Sequence, residues 1–315
     1  MNEDSVLNTD DPLSTALTTM KLRAFISVAL DAGGDWAVDF PAYEGFTLNV
    51  VQKGECWVSV SARKKVRLRS GDCFLLTGGK PFTLASDLSR TERDRAEQLF
   101  MYAKEGVAVC NGGGQFFVVG TIFRFQGHLP SLLFGRLPPI IHIDGSSDHA
   151  AGLRWSLDRF NAEMRNVGLG RSLILSHLAP IMLLQMLRLY VGSLPVEENW
   201  LRALAHPRLS RVLEAMQTNY KRNWSLNQLA DLAQMSRSGF ALVFKKTVGV
   251  SPLVYLANWR MQIACELLHE GNQSIAAIAS EVGYDSESAF STAFDRIVRC
   301  RPGAYRTAFL QRKSS

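Results

Sequence analysis

A chain of 315 residues, 47% of them apolar, can bury more than one core, so two domains with a connector are expected rather than one. Its net charge of +6 is unevenly held: residues 206–315 carry 14 Lys/Arg against 8 Asp/Glu, while residues 1–205 carry 21 of each, which places the basic excess where a phosphate-facing surface would want it. Five dispersed cysteines with no C-x-x-C pair argue against a disulfide framework and a zinc knuckle.

Met1 to Asp11 holds four acidic residues and no apolar run, which fits neither a secretory signal nor a transit peptide, so a cytoplasmic protein is expected. From Trp36 to Phe125 the apolar pattern has a period of two. Phe46, Leu48 and Val50 alternate with polar residues, and after Gln52-Lys53-Gly54-Glu55 the alternation resumes at Cys56, Val58 and Val60, a hairpin pattern. Further strands are predicted at Val66–Arg69, Cys73–Leu76 and Gln115–Phe125, with turns at Gly71-Asp72, Gly78-Gly79 and Asn111–Gly114. Short strands at this spacing indicate a β-sandwich or jelly-roll barrel. The charged stretch Ser86–Glu105 reads as a solvated loop or short helix inserted into it.

Metal chemistry inside such a barrel needs histidines with a carboxylate, as in two-His-one-carboxylate sites. The first histidine is His128, and Phe82 stands after Pro81, where a ligand histidine would be expected. His128, His142 and His149 share no helical face and read as surface or packing residues. Neither a catalytic residue, a metal nor a cofactor is expected. Binding remains, and Trp36, Phe46, Leu48, Trp57 and Phe74 are candidates to line an effector pocket, each equally suited to plain core.

Helical periodicity returns between Asp148 and Val191, with Leu153, Leu157, Phe160 and Met164 on one stripe and Leu175, Leu178, Met182, Met186 and Leu189 on another. His177, Pro180, Gln185 and Arg188 interrupt the second, which therefore reads as a buried helix and not a membrane span. Either the barrel or a second chain must cover it, and Pro180 is expected to kink or break it. Gly192–Pro195 opens a linker.

The last third repeats itself. Ser225, Leu226, Leu229 and Ala230 recur 49 residues on as Ser274, Ile275, Ile278 and Ala279, and Phe240, Phe244, Pro252 and Tyr255 recur 50 residues on as Phe290, Phe294, Pro302 and Tyr305. Each copy is written as a helix, a turn and a second helix. Ser225 with Gln228 forms a capping box, and Ser236 caps the second helix. In the other copy Ser274 caps, Gly283 turns, and Asp285 or Ser286 caps. Between the copies Ser251-Pro252 starts a helix reaching about His269, a strut of about 27 Å against the ~34 Å between successive major grooves on one face of DNA. The paired phenylalanines are core. The opposite faces carry Arg237, Ser238, Ala241, Leu242, Lys245 and Lys246 on the first helix, and Glu287, Ser288, Ser291, Thr292, Asp295 and Arg296 on the second. These residue types suit phosphates, base edges and thymine methyls.

The run from Trp224 through Ser236 to Phe240-x-x-x-Phe-Lys-Lys-x-x-Gly-x-Ser-Pro252, followed by Ile275-Ala-Ala-Ile-Ala-x-x-Val-Gly-Tyr-x-Ser-x-Ser-Ala-Phe-Ser-x-Ala-Phe and Arg301-Pro-Gly-Ala-Tyr-Arg306, resembles the DNA-binding domain of the AraC/XylS transcriptional regulators over about 100 residues. Gly54-Glu-Cys-Trp-Val, Leu68–Leu76, Pro81, Phe123-Arg-Phe and Leu137–His142 resemble the cupin barrels attached to some of these regulators. The sequence departs from the family pattern at Ala241 and Leu242, where a polar residue usually faces the bases, and at Arg299-Cys-Arg301, which replaces Gly-x-Ser.

The resemblance implies an α+β multidomain chain: an N-terminal arm (1–20), a cupin-like jelly-roll barrel (21–145), a helical connector that dimerises (146–205) and an all-α domain (206–311) with helix-turn-helix motifs at about 226–247 and 275–297. It implies a sequence-specific, effector-responsive activator whose partners are double-stranded DNA, a small-molecule effector, a second copy and RNA polymerase; the interrupted apolar stretch 174–191 adds the expectation of no membrane. Ser236, Ser286 and Arg299 join the helix faces above as expected DNA contacts. A cupin oxygenase or isomerase with a DNA-binding tail, and an architectural DNA binder that senses nothing, are the alternatives.

Overall fold

The computed structural model describes residues 11–60, 64–147, 150–165, 168–193, 200–271 and 273–313. His149 lies outside the described residues. The chain divides into two compact units that do not follow chain order. Among the described residues, 23–124 and 137–193 form a β-rich unit; 11–22, 125–136 and 200–313 form a helical one. The described part of the expected arm, from residue 11, and the strip 125–136 of the expected barrel segment thus fall within the helical unit.

In the β-rich unit the strands are β1 (Arg23–Ala32), β2 (Ala37–Phe40), β3 (Phe46–Lys53), β4 (Glu55–Val60), β5 (Lys64–Arg69), β6 (Cys73–Leu76), β7 (Phe82–Ala85), β8 (Asp94–Arg95), β9 (Val107–Cys110), β10 (Phe116–Arg124) and β11 (Ile140–Ile143). They form a six-stranded sheet ordered β11-β6-β3-β10-β1-β9 and a five-stranded sheet ordered β5-β4-β7-β2-β8. The hairpin expected between β3 and β4 does not form: β3 pairs with β6 and β10, β4 with β5 and β7. Gly54 between them has φ +76°, and a Cβ there would lie 2.4 Å from the Gln115 carbonyl oxygen, so the chain turns a corner from one sheet to the other through a position that only glycine fits.

Strand β3 is buried on both faces. Gln52 donates to Asn161 of α4 (Ala151–Arg165) at 2.5 Å, so the face shared by Phe46, Leu48, Val50 and Gln52 turns to the connector helices. The face with Thr47, Asn49 and Val51 turns to the other sheet, where Val51, Val58, Phe74 and Phe116 share one core. The buried stripe of α5 (Arg171–Ser193), including Leu178, Met182 and Met186, packs on β1, β11 and α4, so the barrel supplies the covering surface the sequence required. By length and composition alone α5 could cross a membrane. Of the kink or break expected at Pro180, the break does not occur: within a packed helix of 23 residues the missing N–H removes one backbone bond without ending the rest.

The helical unit contains α1 (Pro12–Thr19), α3 (Leu129–Phe134), α6 (Trp200–Ala205), α7 (Pro207–Thr218), α8 (Leu226–Leu232), α9 (Arg237–Val248), α10 (Pro252–Glu270), α11 (Ile275–Glu281), α12 (Glu287–Val298) and α13 (Pro302–Lys313). Phe134 meets Trp200 edge-on at 5.9 Å. Gln262, fully buried on α10, accepts from Leu129 N–H (3.4 Å) and donates to the carbonyls of Gln126 (2.9 Å) and Thr19 (3.4 Å), so the strut binds both N-terminal excursions.

Candidate nucleic-acid interface and barrel cavity

The repeated sequence folds into a repeated object. Phe240 and Phe244 lie 5.6 Å apart, with Phe244 5.9 Å from Tyr255; Phe290 and Phe294 lie 5.6 Å apart, with Phe294 5.6 Å from Tyr305. All four phenylalanines are buried, so one face of α9 and one of α12 is spent on these triads. The Ser225–Gln228 capping box is present in both directions, and Ser274 accepts from Ala277 N–H. Ser236 and Ser286 accept from Gly239 and Ala289 N–H, each at 3.2 Å, which caps α9 and α12 and settles the second cap on Ser286. Ser251 stands at the N-cap of α10 without a side-chain hydrogen bond, and Pro252 sets the first turn instead.

The two turns use left-handed residues. Gly283 has φ +79°, and Gln234 does the same work in the first copy at φ +53°. Helix α12 ends on Arg299 at φ +65°, the place where Gly249 with φ +95° ends α9.

On α9, Arg237, Ser238, Leu242, Lys245 and Lys246 are exposed and Ala241 is half-buried. Leu242 is 69% exposed, and an apolar side chain that no residue of its own chain covers suits a thymine methyl. On α12, Glu287, Ser288, Thr292, Asp295 and Arg296 are exposed and Ser291 is half-buried; Arg299 is exposed beyond it. The α12 face forms one wall of a groove. The opposite wall is Arg301, Pro302, Gly303 and Ala304 at the start of α13, with Ile275 at one end. A helix N-terminus beside Arg296 and Arg301 offers backbone N–H groups and positive charge to a phosphate. Pro302, at the first helical position of α13, is the sequence signal that a helix start lies there.

Both α9 and α12 pack on α10. Its buried Arg260 joins the copies: the guanidinium donates to the carbonyls of Tyr220 (2.7 Å), Lys221 (3.4 Å) and Arg222 (3.0 Å) ahead of α8, and to Gly283 (3.0 Å) in the turn of the second copy. Lys221 and Glu281 pair at 2.6 Å across the same junction, and a Cβ on Gly283 would strike the Lys221 carbonyl at 2.6 Å.

The β-rich unit holds a cavity of about 300 Å³ between its sheets. Leu30, Thr47, Asn49, Val118 and Gly120 line it from one sheet, Phe40, Phe82 and Leu84 from the other, and Ala96, Glu97 and Phe100 of α2 (Ala96–Met101) cover it. None of the five expected effector contacts lines it. Trp36 is buried against Phe116 at 4.8 Å, Phe74 is in the core, Phe46 and Leu48 face the connector, and Trp57 is half-buried opposite the inward Cys56 and Val58. Alternation could not tell the faces of a strand buried on both sides, and the stretch read as a solvated insertion supplies α2, the cover of the cavity. His142 pairs with Asp72 at 3.0 Å, and Asp72 also takes the Arg69 and Gly145 N–H groups.

A two-sheet β unit joined to a doubled helix-turn-helix defines the class: a DNA-binding protein with a cupin-type domain. Residues 11–192 match the Cupin family and residues 229–308 the Helix-turn-helix domain family. Over 298 residues the chain is 38% identical to an AraC-like transcription regulator of Streptomyces antibioticus and 40% identical to one of Streptomyces lividans, spanning 94% of this chain and 98% of each relative. It is 30% identical over 304 residues to the HTH-type transcriptional regulator AlkR of Acinetobacter baylyi, spanning 94% of this chain and 99% of the relative. The chain belongs to the AraC-like transcription regulators and is a DNA-binding transcriptional regulator.

Proposed function

We propose that this regulator is an effector-responsive activator in which the exposed faces of α9 and α12 enter adjacent major grooves and a small molecule in the barrel cavity sets their activity. The observation that carries this reading is the pairing, within one chain, of two helices of repeated sequence on a common strut with a β unit that holds an apolar cavity. Lys245, Lys246, Arg296 and Arg299 serve phosphates or guanine edges; Ser238, Ser288, Ser291 and Thr292 serve phosphates or bases; Ala241 and Leu242 serve methyl groups. Ser236, Arg237, Ser286 and Glu287 open the two helices at the groove floor. A ligand shifts the balance only by binding two conformations unequally.

A second copy covers the connector, where Trp155, Leu173 and Ile181 remain exposed although α5 already packs on the barrel. The protein works in the cytoplasm and contacts RNA polymerase, as a transcription regulator does, and its role is regulation and not catalysis. Footprinting on the gene's own upstream region tests the reading. Two protected major-groove segments one helical turn apart are expected; no protection at moderate salt, with or without cell extract, contradicts it.

A further inference from the structure

The cavity between the sheets is selective by what its wall lacks. None of its lining residues is Lys, Arg or His; the ionisable groups are Glu97, exposed at the rim, and Tyr43, whose hydroxyl burial holds well above its ordinary titration range and therefore neutral. An anionic ligand would lose its water, gain no cation and meet the Glu97 carboxylate. A cation fares little better. A cation too loses its water, and its one carboxylate partner, Glu97, stands at the exposed rim and not inside the cavity; one face each of Phe40 and Phe82 is already taken by their stacking at 4.5 Å with 4° between the planes.

Polyhydroxylated ligands are disfavoured for a different reason. The polar side chains reaching the cavity from the sheets are Thr47 and Asn49, and the Asn49 amide nitrogen is already bonded to the Thr47 carbonyl at 3.1 Å. Most hydroxyls of a sugar would be stranded. One polar feature is built with care. Gly120 pairs with Asn49 across β10 and β3, and a Cβ at Gly120 would lie 2.9 Å from Asn49 Oδ1, so the glycine leaves room for the amide oxygen on the cavity side of the sheet. That oxygen can accept from a ligand donor. A volume of about 300 Å³ equals roughly ten waters, or an organic molecule of about a dozen non-hydrogen atoms.

We infer that the cavity takes an uncharged, mainly apolar molecule of about that size carrying one hydroxyl or similar donor, and that it rejects carboxylates. This rests on the effector reading of the barrel, and the test separates the two. Full-length protein is titrated calorimetrically with three probes of matched size, 1-decanol, nonanoate and decylammonium, alone and after Glu97→Lys, an exposed change that leaves the core intact. Decanol is expected to bind more than about tenfold tighter than either ion. Glu97→Lys is expected to improve nonanoate several-fold relative to decanol, which locates the ligand under α2. Nonanoate or decylammonium binding as tightly as decanol, no decanol binding up to its solubility limit, or nonanoate indifferent to Glu97→Lys overturns the inference. A gel shift on the same samples reads the effector role separately: bound decanol without a change in DNA affinity removes that role and leaves the ligand class standing, whereas a charged probe that binds and changes DNA affinity removes the class and keeps the role.

Discussion

At the residue scale, the two copies differ in how they meet the same backbone demand. Gln234 sits at φ +53° where Gly283 sits at φ +79°, and Arg299 at φ +65° where the first copy has Gly249. A side chain in the left-handed region costs about 1 kcal/mol, which glycine avoids. Gln234→Gly is therefore expected to raise stability by about 0.5–1 kcal/mol in urea unfolding, offset in part by the freer unfolded chain; a loss of stability would mean that the Gln234 side chain holds the turn by other means. His128 gives a pH signature. Burial pushes it down to about 4, from an ordinary value near 6.5. Between those values the unfolded chain binds the proton more readily, so its contribution is present above about 6.5 and lost as the pH falls toward 4, up to about 3 kcal/mol. Glu266, pushed up to about 7 by burial, works the other way in an overlapping window. The difference between parent and His128→Leu isolates the histidine: the variant is expected to lose less stability between pH 6.5 and 4, and identical pH dependence would contradict it.

At the element scale, α10 is a coupling as well as a spacer. Arg260 is buried with its guanidinium spent on four carbonyls from both copies. Arg260→Met leaves those acceptors without their donor and is expected to cost about 2–4 kcal/mol. Its more telling effect is on DNA. Footprints are expected to keep protection at one groove and weaken at the other; uniform loss across both would mean that Arg260 serves stability alone. The helical elements were legible because their signals are local: the capping box at Ser225, the Phe240/Phe244 spacing and its recurrence at Phe290/Phe294 need no partner to be read. The β elements were legible as strands and not as a topology. Phe46, Leu48 and Val50 alternate correctly yet face helices, because Thr47 and Asn49 on the inner face are buried polar residues beside a cavity. Strand β1 went unread since it is central to its sheet, between β10 and β9. The docking of α1 and α3 on Gln262 depends on contacts more than 130 residues apart, which no local pattern announces.

At the scale of the molecule, the threading of the chain matters. β1 and β10 carry Leu30, Val118 and Gly120 into the cavity wall and pair as far as Arg23 and Arg124. The residues just beyond, Leu22 and Phe125, already belong to the helical unit. The strands that would feel a ligand thus continue covalently into α1 and α3, the two segments that Gln262 holds on the strut of the recognition helices. The charge distribution fits the same division of labour, since the whole positive excess lies in residues 206–315. That the exposed faces of α9 and α12 are what touches DNA is tested most directly by the salt dependence of operator affinity for parent and Lys245→Ala/Arg296→Ala protein. Each lost phosphate contact removes about 0.9 from the slope of log K against log salt, so the double variant should bind more weakly with a slope shallower by about 2. Equal slopes and affinities for the two proteins would contradict it.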